Sequence, residues 1–159
     1  MKSITIKTTD ELYIDETGRE MPFRLTTALL IKTAIKNTPA GGFEVTDMMN
    51  RLKISKVLED YEAVKRKEKR NRLIKAQQEA KALAEAEPDM IYDDSEIPEE
   101  KDISLKVSDY DGVIKLEDAM FDKLGEYVKP TKWLFMSQNI VDFCELFNTN
   151  GNHNDKPKS

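Results

Sequence analysis

TDMMNRLKISKVLEDYEAVKRKEKRNRLIKAQQEAKALAEAE, residues 46–87, is the stretch on which the fold turns. It contains neither Gly nor Pro, and Pro88 closes it. Thr46 can accept a hydrogen bond from the first free N–H groups of a helix, and Asp47 suits the positive end of the helix dipole. Met48, Met49, Leu52, Val57, Leu58 and Tyr61 follow at roughly helical spacing. Ile54 falls off that face, which leaves room for a turn or kink near Lys53–Ser55. From Lys65 the character changes. Lys65, Arg66, Lys67, Lys69, Arg70, Arg72 and Lys75 oppose only Glu68. The run AQQEAKALAEAE then supplies residues with the lowest helical cost. Leu73, Ala76, Ala80 and Leu83, at spacings of three, four and three, form one narrow stripe like a coiled-coil seam of about two heptads. The stripe admits a solvated helix projecting from a small domain or a helix packed on a partner. Unbroken, the stretch would span roughly 60 Å at ~1.5 Å per residue, longer than a small domain is wide.

Around it the chain is small and charged. It has 159 residues, 35% of them charged, so one modest core is expected rather than an enzyme-sized interior. Net charge is −5, but it is unevenly spread: residues 65–84 carry +6 and residues 85–102 carry −8. Cys144 is the single cysteine, which rules out an intrachain disulfide and fits a reducing compartment. The first twenty residues hold no apolar run, so no signal peptide and no secretion are expected. No stretch approaches the ~18 apolar residues of a membrane span.

Before the long stretch, Ile4 and Ile6 alternate, as do Leu12 and Ile14, which predicts two short strands joined as a hairpin. Asp15–Gly18 reads as a turn. Phe23–Asn37 reads as an amphipathic helix stopped by Thr38-Pro39-Ala40-Gly41-Gly42. After it, EAEPDMIYDDSEIPEEKD, residues 85–102, is too acidic to fold alone and reads as a linker or docking peptide carrying Met90, Ile91 and Tyr92. Ile103–Val107 and Val113–Lys115 read as strands about a turn, Glu117–Lys129 as a helix ended by Pro130, and Gln138–Phe147 as a last helix capped by Ser137. Residues 148–159 read as a disordered tail. The organisation expected is an N-terminal lobe (1–62), a charged helix (63–87), an acidic linker (88–102) and a C-terminal lobe (103–147). The two lobes would pack as one helix-rich α+β domain from which helix and linker emerge.

Catalytic signatures are missing from the sequence. The only histidine, His153, lies in the polar tail, without defined geometry for acid–base work. Cys144 sits on the apolar face of the last helix, as a small hydrophobe does. Asp109, Asp111 and Glu117 fail the calcium-loop spacing, because Val113 and Met120 occupy the fifth and twelfth positions. There is no phosphate-loop pattern. No catalytic residue, cofactor or metal ligand is therefore assigned. Lys65, Arg66, Lys69, Arg70 and Arg72 could contact phosphates with salt-sensitive, non-specific affinity, though no aromatic residues interleave for base stacking. The helices 23–37 and 46–62 also look like a winged-helix pair, with Asp47, Asn50, Arg51 and Lys53 at the leading edge.

Two stretches carry a resemblance. Pro39-x-Gly41-Gly42-Phe43 and Arg51-Leu52-x-Ile54-x-x-x-Leu58-Glu59 lie in residues 25–60; Leu116-Glu117-Asp118-Ala119-x-Phe121 and Ile140-Val141-Asp142-Phe143 lie in residues 114–147. Together they resemble small uncharacterised proteins of tailed-phage and prophage genomes. The resemblance implies a bacteriophage origin, a place in the host cytoplasm or the virion, and a structural part in virion assembly. It transfers no catalytic residue. The function expected is thus a non-enzymatic protein–protein interaction component. Its partner would be another protein or a second copy in a homo-oligomer, met through Leu73, Ala76, Ala80, Leu83, Met90, Ile91 and Tyr92. Nucleic-acid binding or regulation, through the basic block or the winged-helix-like pair, is the alternative.

Overall fold

The computed structural model describes residues 1–87, 89, 91 and 94–155, with side chains as far as Asn148. Among the described residues the chain is a helix-rich α+β fold with four strands and four α-helices. They follow in the order β1 (Lys2–Ile6), β2 (Thr8–Ile14), β3 (Glu20–Thr26), α1 (Thr27–Lys36), α2 (Val45–Ala86), β4 (Gly112–Leu116), α3 (Asp118–Val128) and α4 (Gln138–Asp155).

The strands pair differently from the expected β1–β2 hairpin. β1 runs antiparallel to β4, with Ile4 opposite Ile114 and Lys2 opposite Leu116. β2 runs antiparallel to β3. Only Lys7 separates β1 from β2, and hairpin connections need at least two residues. The chain instead passes from one sheet to the other at Lys7, whose backbone is held by Thr27: Thr27 N–H donates to the Lys7 carbonyl at 3.1 Å, and Lys7 N–H donates to Thr27 Oγ1 at 3.1 Å. The β2–β3 hairpin closes at the expected turn. Asp15 Oδ1 accepts the N–H groups of Thr17 and Arg19, each at 2.9 Å, and Gly18 takes φ +83°.

β3 occupies the residues expected to enter the first helix. Met21, Phe23 and Leu25 alternate there opposite Tyr13, Glu11 and Thr9. Pro22 is tolerated because a two-stranded sheet leaves alternate N–H groups unpaired. α1 therefore starts at Thr27, with Thr26 as N-cap accepting from Ala28 N–H.

α2 is one helix of 42 residues, with Glu44 rather than Thr46 at the N-cap position and no break near Lys53–Ser55. Ile54, off the expected face, is the most completely buried residue of α2, with Leu58 and Arg51 beside it. Met48, Met49 and Leu52 face solvent. Arg51 belongs to the inner face because its aliphatic stem is buried and its charged head is paired, which turns that face away from the one expected.

Residues 103–107 form no strand. Ile103 is buried and Leu105 and Val107 are half-buried, so the alternation is real, but the segment lies extended between 3₁₀ turns at Glu100–Asp102 and Val107–Tyr110. β4 covers the expected Val113–Lys115. Gly112 opens it where α2 passes close: a Cβ there would collide with the Tyr61 hydroxyl and lie 3.0 Å from Lys65 Nζ. α3 and α4 start where expected, Ser137 Oγ accepting from Asn139 N–H at 3.1 Å. α4 then continues to Asp155, past the expected end at Phe147, so residues 148–155 extend a helix rather than a disordered tail. Within its packed part, Phe147 Cβ would stand 3.1 Å from a Cβ placed on Gly125, which explains the glycine in α3.

One apolar cluster joins both ends of the chain. Ile4, Ile6, Ile31, Ile54, Leu58, Ile114, Leu116, Leu124 and Phe143 all belong to it. The edge-on ring pairs Phe23–Phe135 and Trp133–Phe143 extend it beneath the 130–137 connection.

Candidate functional site

α2 does two jobs along its length, and the boundary falls near Lys69. Its inner face can be followed as Arg51, Ile54, Leu58, Tyr61, Lys65 and Lys69, at spacings of three or four that keep one side of a helix. The first of these fixes the helix to the body. Arg51 Nε donates to Asp47 Oδ2 at 2.8 Å, and its Nη1 donates to the carbonyls of Ala34, Ile35 and Asn37 at 3.3, 2.9 and 2.9 Å. These are the orphan acceptors at the end of α1. The guanidinium also lies 4.0 Å from the Tyr127 ring centre and 5.0 Å from that of Phe43. Burial works to raise the Asp47 pKa, but the Arg51 hydrogen bond, Tyr127 and the charges of Arg51 and Lys123 bring it below the ordinary value. Burial, with Asp47 beside it, pushes the Tyr127 hydroxyl up to about 12.

Further along, the acidic return segment runs back against the helix. Gln77 Nε2 donates to the Ser95 carbonyl at 2.8 Å, Arg70 Nε to Pro98 at 2.9 Å, and Lys69 Nζ to Ser104 at 2.7 Å. Asp109 is the centre of this clasp. It accepts from Lys69 Nζ at 2.8 Å and from Lys106 N–H at 2.7 Å, with Arg72 Nη2 at 3.6 Å. Desolvation alone would raise the Asp109 pKa; Lys69, the Lys106 amide and the two cations hold it below the ordinary value. Tyr61 donates to the Tyr110 carbonyl at 2.5 Å, and burial pushes its hydroxyl up to about 12.

The residues singled out for phosphate contact are therefore largely occupied. Lys69, Arg70 and Arg72 hold acceptors of the return segment. Lys65 lies 3.5 Å from Glu68 Oε2 and over the Tyr61 ring, and Arg66 lies 3.8 Å from Glu62 Oε2. Glu62 also meets Lys32 of α1. Lys67 and Lys75 remain exposed. The leading edge proposed for a groove-binding helix is turned to other use, since Arg51 and Asp47 tie α2 to α1.

The partner stripe fares differently. Leu73 and Leu83 are 40% and 56% exposed, Ala76 is exposed and Ala80 is half-buried. Their positions continue the inner line beyond Lys69, where the body of the protein ends and the helix goes on. Ile91 stands fully in solvent. Met90 and Tyr92 lie outside the described residues, and so does the side chain of His153. A second exposed apolar stripe went unrecognised in the sequence: Val45, Met48, Met49 and Leu52 on the outer face of the first two turns. Its signal was present in the one-residue shift that Ile54 demanded.

Elsewhere the chemistry is sparse. Burial raises the Cys144 pKa against the pull of Trp133, so the thiol stays protonated and poorly nucleophilic. Among the described residues no three His, Cys, Asp or Glu side chains come together to hold a metal, and no helix is long and apolar enough to cross a membrane. An open groove of about 370 Å³ lies between β1 and α4, where Thr5 and Lys7 face Asn139, Asp142 and Phe143. Comparison with protein families, curated proteins and solved structures finds no match.

Proposed function

We infer that the protein is a non-enzymatic interaction component, with the distal half of α2 as its docking element. The observation that carries this reading is a helix that outruns its own core with leucines facing outward. Leu73 and Leu83 lie on the side of α2 that, nearer the body, is buried. Exposed apolar stripes of this kind mark protein-binding surfaces, and burying two leucines and two alanines contributes several kcal/mol at ~25 cal/mol per Å². The rest of the molecule supports the helix rather than competing with it. Arg51 and the Asp109 clasp fix its direction, and the return segment covers one flank. The resemblance of residues 25–60 and 114–147 to tailed-phage proteins supports a reading in which the interaction belongs to virion assembly, in the host cytoplasm or on the particle itself. Nucleic acid is the weaker reading, because Lys69, Arg70 and Arg72 already hold acceptors of the chain itself.

A photo-crosslinking residue at Ala76, compared with one at Lys67 on the opposite side of the helix, tests the assignment in cells making the intact protein. Crosslinked protein at position 76 and not at 67 is expected, and Leu73→Glu should abolish it while leaving thermal unfolding unchanged. Equal crosslinking at both positions, or unfolding caused by Leu73→Glu, would overturn the reading. Salt-sensitive duplex binding that falls with charge removal at Lys67 and Lys75 would replace it by the nucleic-acid reading.

A further inference from the structure

The exposed stripe has a symmetry that names its occupant. Leu73, Ala76, Ala80 and Leu83 read the same in both directions: the spacings are three, four and three, with the leucines outside and the alanines inside. A helix with this pattern is complementary to its own reverse. When two copies of α2 cross antiparallel about a two-fold axis level with residue 78, Leu73 of each meets Leu83 of the other. Ala76 likewise meets Ala80. The alanines at the centre let the two backbones approach closely, and the leucines close both ends of the contact. Such a pairing is isologous, the arrangement that closes a dimer without leaving a free copy of the surface.

Charge gives the same orientation independently. Residues 65–75 carry +6, of which Lys69, Arg70 and Arg72 are held by the return segment while Lys67 and Lys75 stay exposed; residues 79–87 carry −2, with Glu79, Glu85 and Glu87 exposed, and lead into the acidic run. Antiparallel pairing lays the basic end of one helix along the acidic end of the other. Parallel pairing would set two basic blocks side by side and two acidic ends together, at a cost that rises as the salt is lowered. The described residues leave room for the antiparallel arrangement: beyond the Lys69–Asp109 clasp the return segment holds α2 by its flank, at Arg70 and Gln77, while Leu73, Ala76 and Leu83 stay exposed and Ala80 is half-buried. The overlap runs along residues 70–86, roughly 25 Å at ~1.5 Å per residue.

We propose that this protein self-associates as an antiparallel dimer through the distal half of α2, with Leu73 facing Leu83 and Ala76 facing Ala80 across the two-fold axis. The proposal rests on the docking role assigned to this helix and gives it a partner: a second copy of the same chain. An overlap of this length buries less than the ~1,200 Å² of a standard stable interface, so the dimer is in exchange with monomer and depends on concentration.

The test uses the full-length chain with Cys144→Ser, into which Leu73→Cys or Leu83→Cys is introduced singly. Under mild oxidation, mixing the two variants should give a disulfide-linked dimer, and neither variant alone should give much. Light scattering on the chain without added cysteines should show mass rising toward twice 18.3 kDa with concentration, and more so at low salt. Efficient crosslinking of each variant with itself would overturn the antiparallel register. Monomer at every concentration and no crosslink in any mixture would overturn self-association. If the Ala76 photo-crosslinker then still captures a different protein in cells, the docking role of the helix survives and only its partner was misassigned. If it captures nothing, both readings fail together.

Discussion

Replacing Arg51 by Met asks how much one buried guanidinium holds. The substitution keeps an unbranched apolar stem and removes the planar head that joins α2 to α1 and α3. Three carbonyls at the end of α1 lose a charged donor, Asp47 loses its partner, and the Tyr127 ring loses a cation 4.0 Å from its centre. A hydrogen bond to a charged group contributes roughly 1.5–3 kcal/mol. A desolvated cation over a ring contributes about 2 kcal/mol. These values do not add fully, because Asn37 and Asp47 are partly open to water and would be rehydrated. The expected net loss is about 3–4 kcal/mol, in line with removing one partner of a buried ionic group. Against a total stability of ~5–15 kcal/mol this is a large fraction. Equilibrium urea unfolding followed by Trp133 fluorescence is the suitable assay, because Trp133 packs edge-on to Phe143 in the body and does not report on the distal helix. Arg51→Lys keeps the charge but loses the fork, and should recover about half of the loss. A loss below ~1 kcal/mol for the Met variant would refute the reasoning, for it would mean that water satisfies the end of α1 equally well.

The inner face of α2 can be checked by a pair of truncations: Ile54→Ala should cost about 2–4 kcal/mol in urea unfolding, whereas Leu52→Ala, 66% exposed, should change stability by less than ~0.5 kcal/mol. The reverse order would place the wrong side of the helix inward. The clasp on α2 should open in acid. The Asp109 pKa is depressed in the folded protein, so its stabilising contribution is present above the ordinary carboxylate pKa of about 4 and is lost as pH falls through the lower folded value. Amide exchange of residues 99–106, corrected for its intrinsic pH dependence, should accelerate over that window, and Asp109→Asn should remove the acceleration. Unchanged protection down to the acid-unfolding limit would show that the clasp does not depend on this carboxylate.

The elements of this fold were legible where a single physical signal decided them. The long helix could be read from its composition, and Asp15–Gly18, Ser137 and Pro130 marked ends through local turn and cap chemistry. Strand partners were not legible, because Ile4 and Ile6 declare a buried face but not which distant strand shares it. The Glu20–Thr26 strand was masked by Pro22 and by an apolar run that satisfies both periods, and only pairing with β2 decides between them. The inner face of α2 was not legible, because an arginine in sequence carries no sign that it is buried. The distal stripe could be found from its spacing alone. Its exposure could not, since that depends on where the body ends. The clasp was foreshadowed by the opposed charges of residues 65–84 and 85–102, but its contacts run as much to the carbonyls of Ser95, Pro98 and Ser104 as to carboxylates, and carbonyls leave no mark on a charge count.

The pairing of β1 with β4 also governs when this protein can fold. Ile6 finds Gly112 across more than a hundred residues of intervening chain. At ~5–20 residues per second a ribosome takes roughly 5–20 s to supply the missing strand. Until then Ile4 and Ile6 have no cover, and closing so long a loop costs about 4 kcal/mol of chain entropy. The long helix needs no such wait, since its turns are local and form within microseconds. Synthesis therefore yields a charged rod first and a body afterwards, with the rod tethering the two ends that must meet. Cutting the chain between the rod and β4 should give two pieces, neither with a complete core, each able to restore the other.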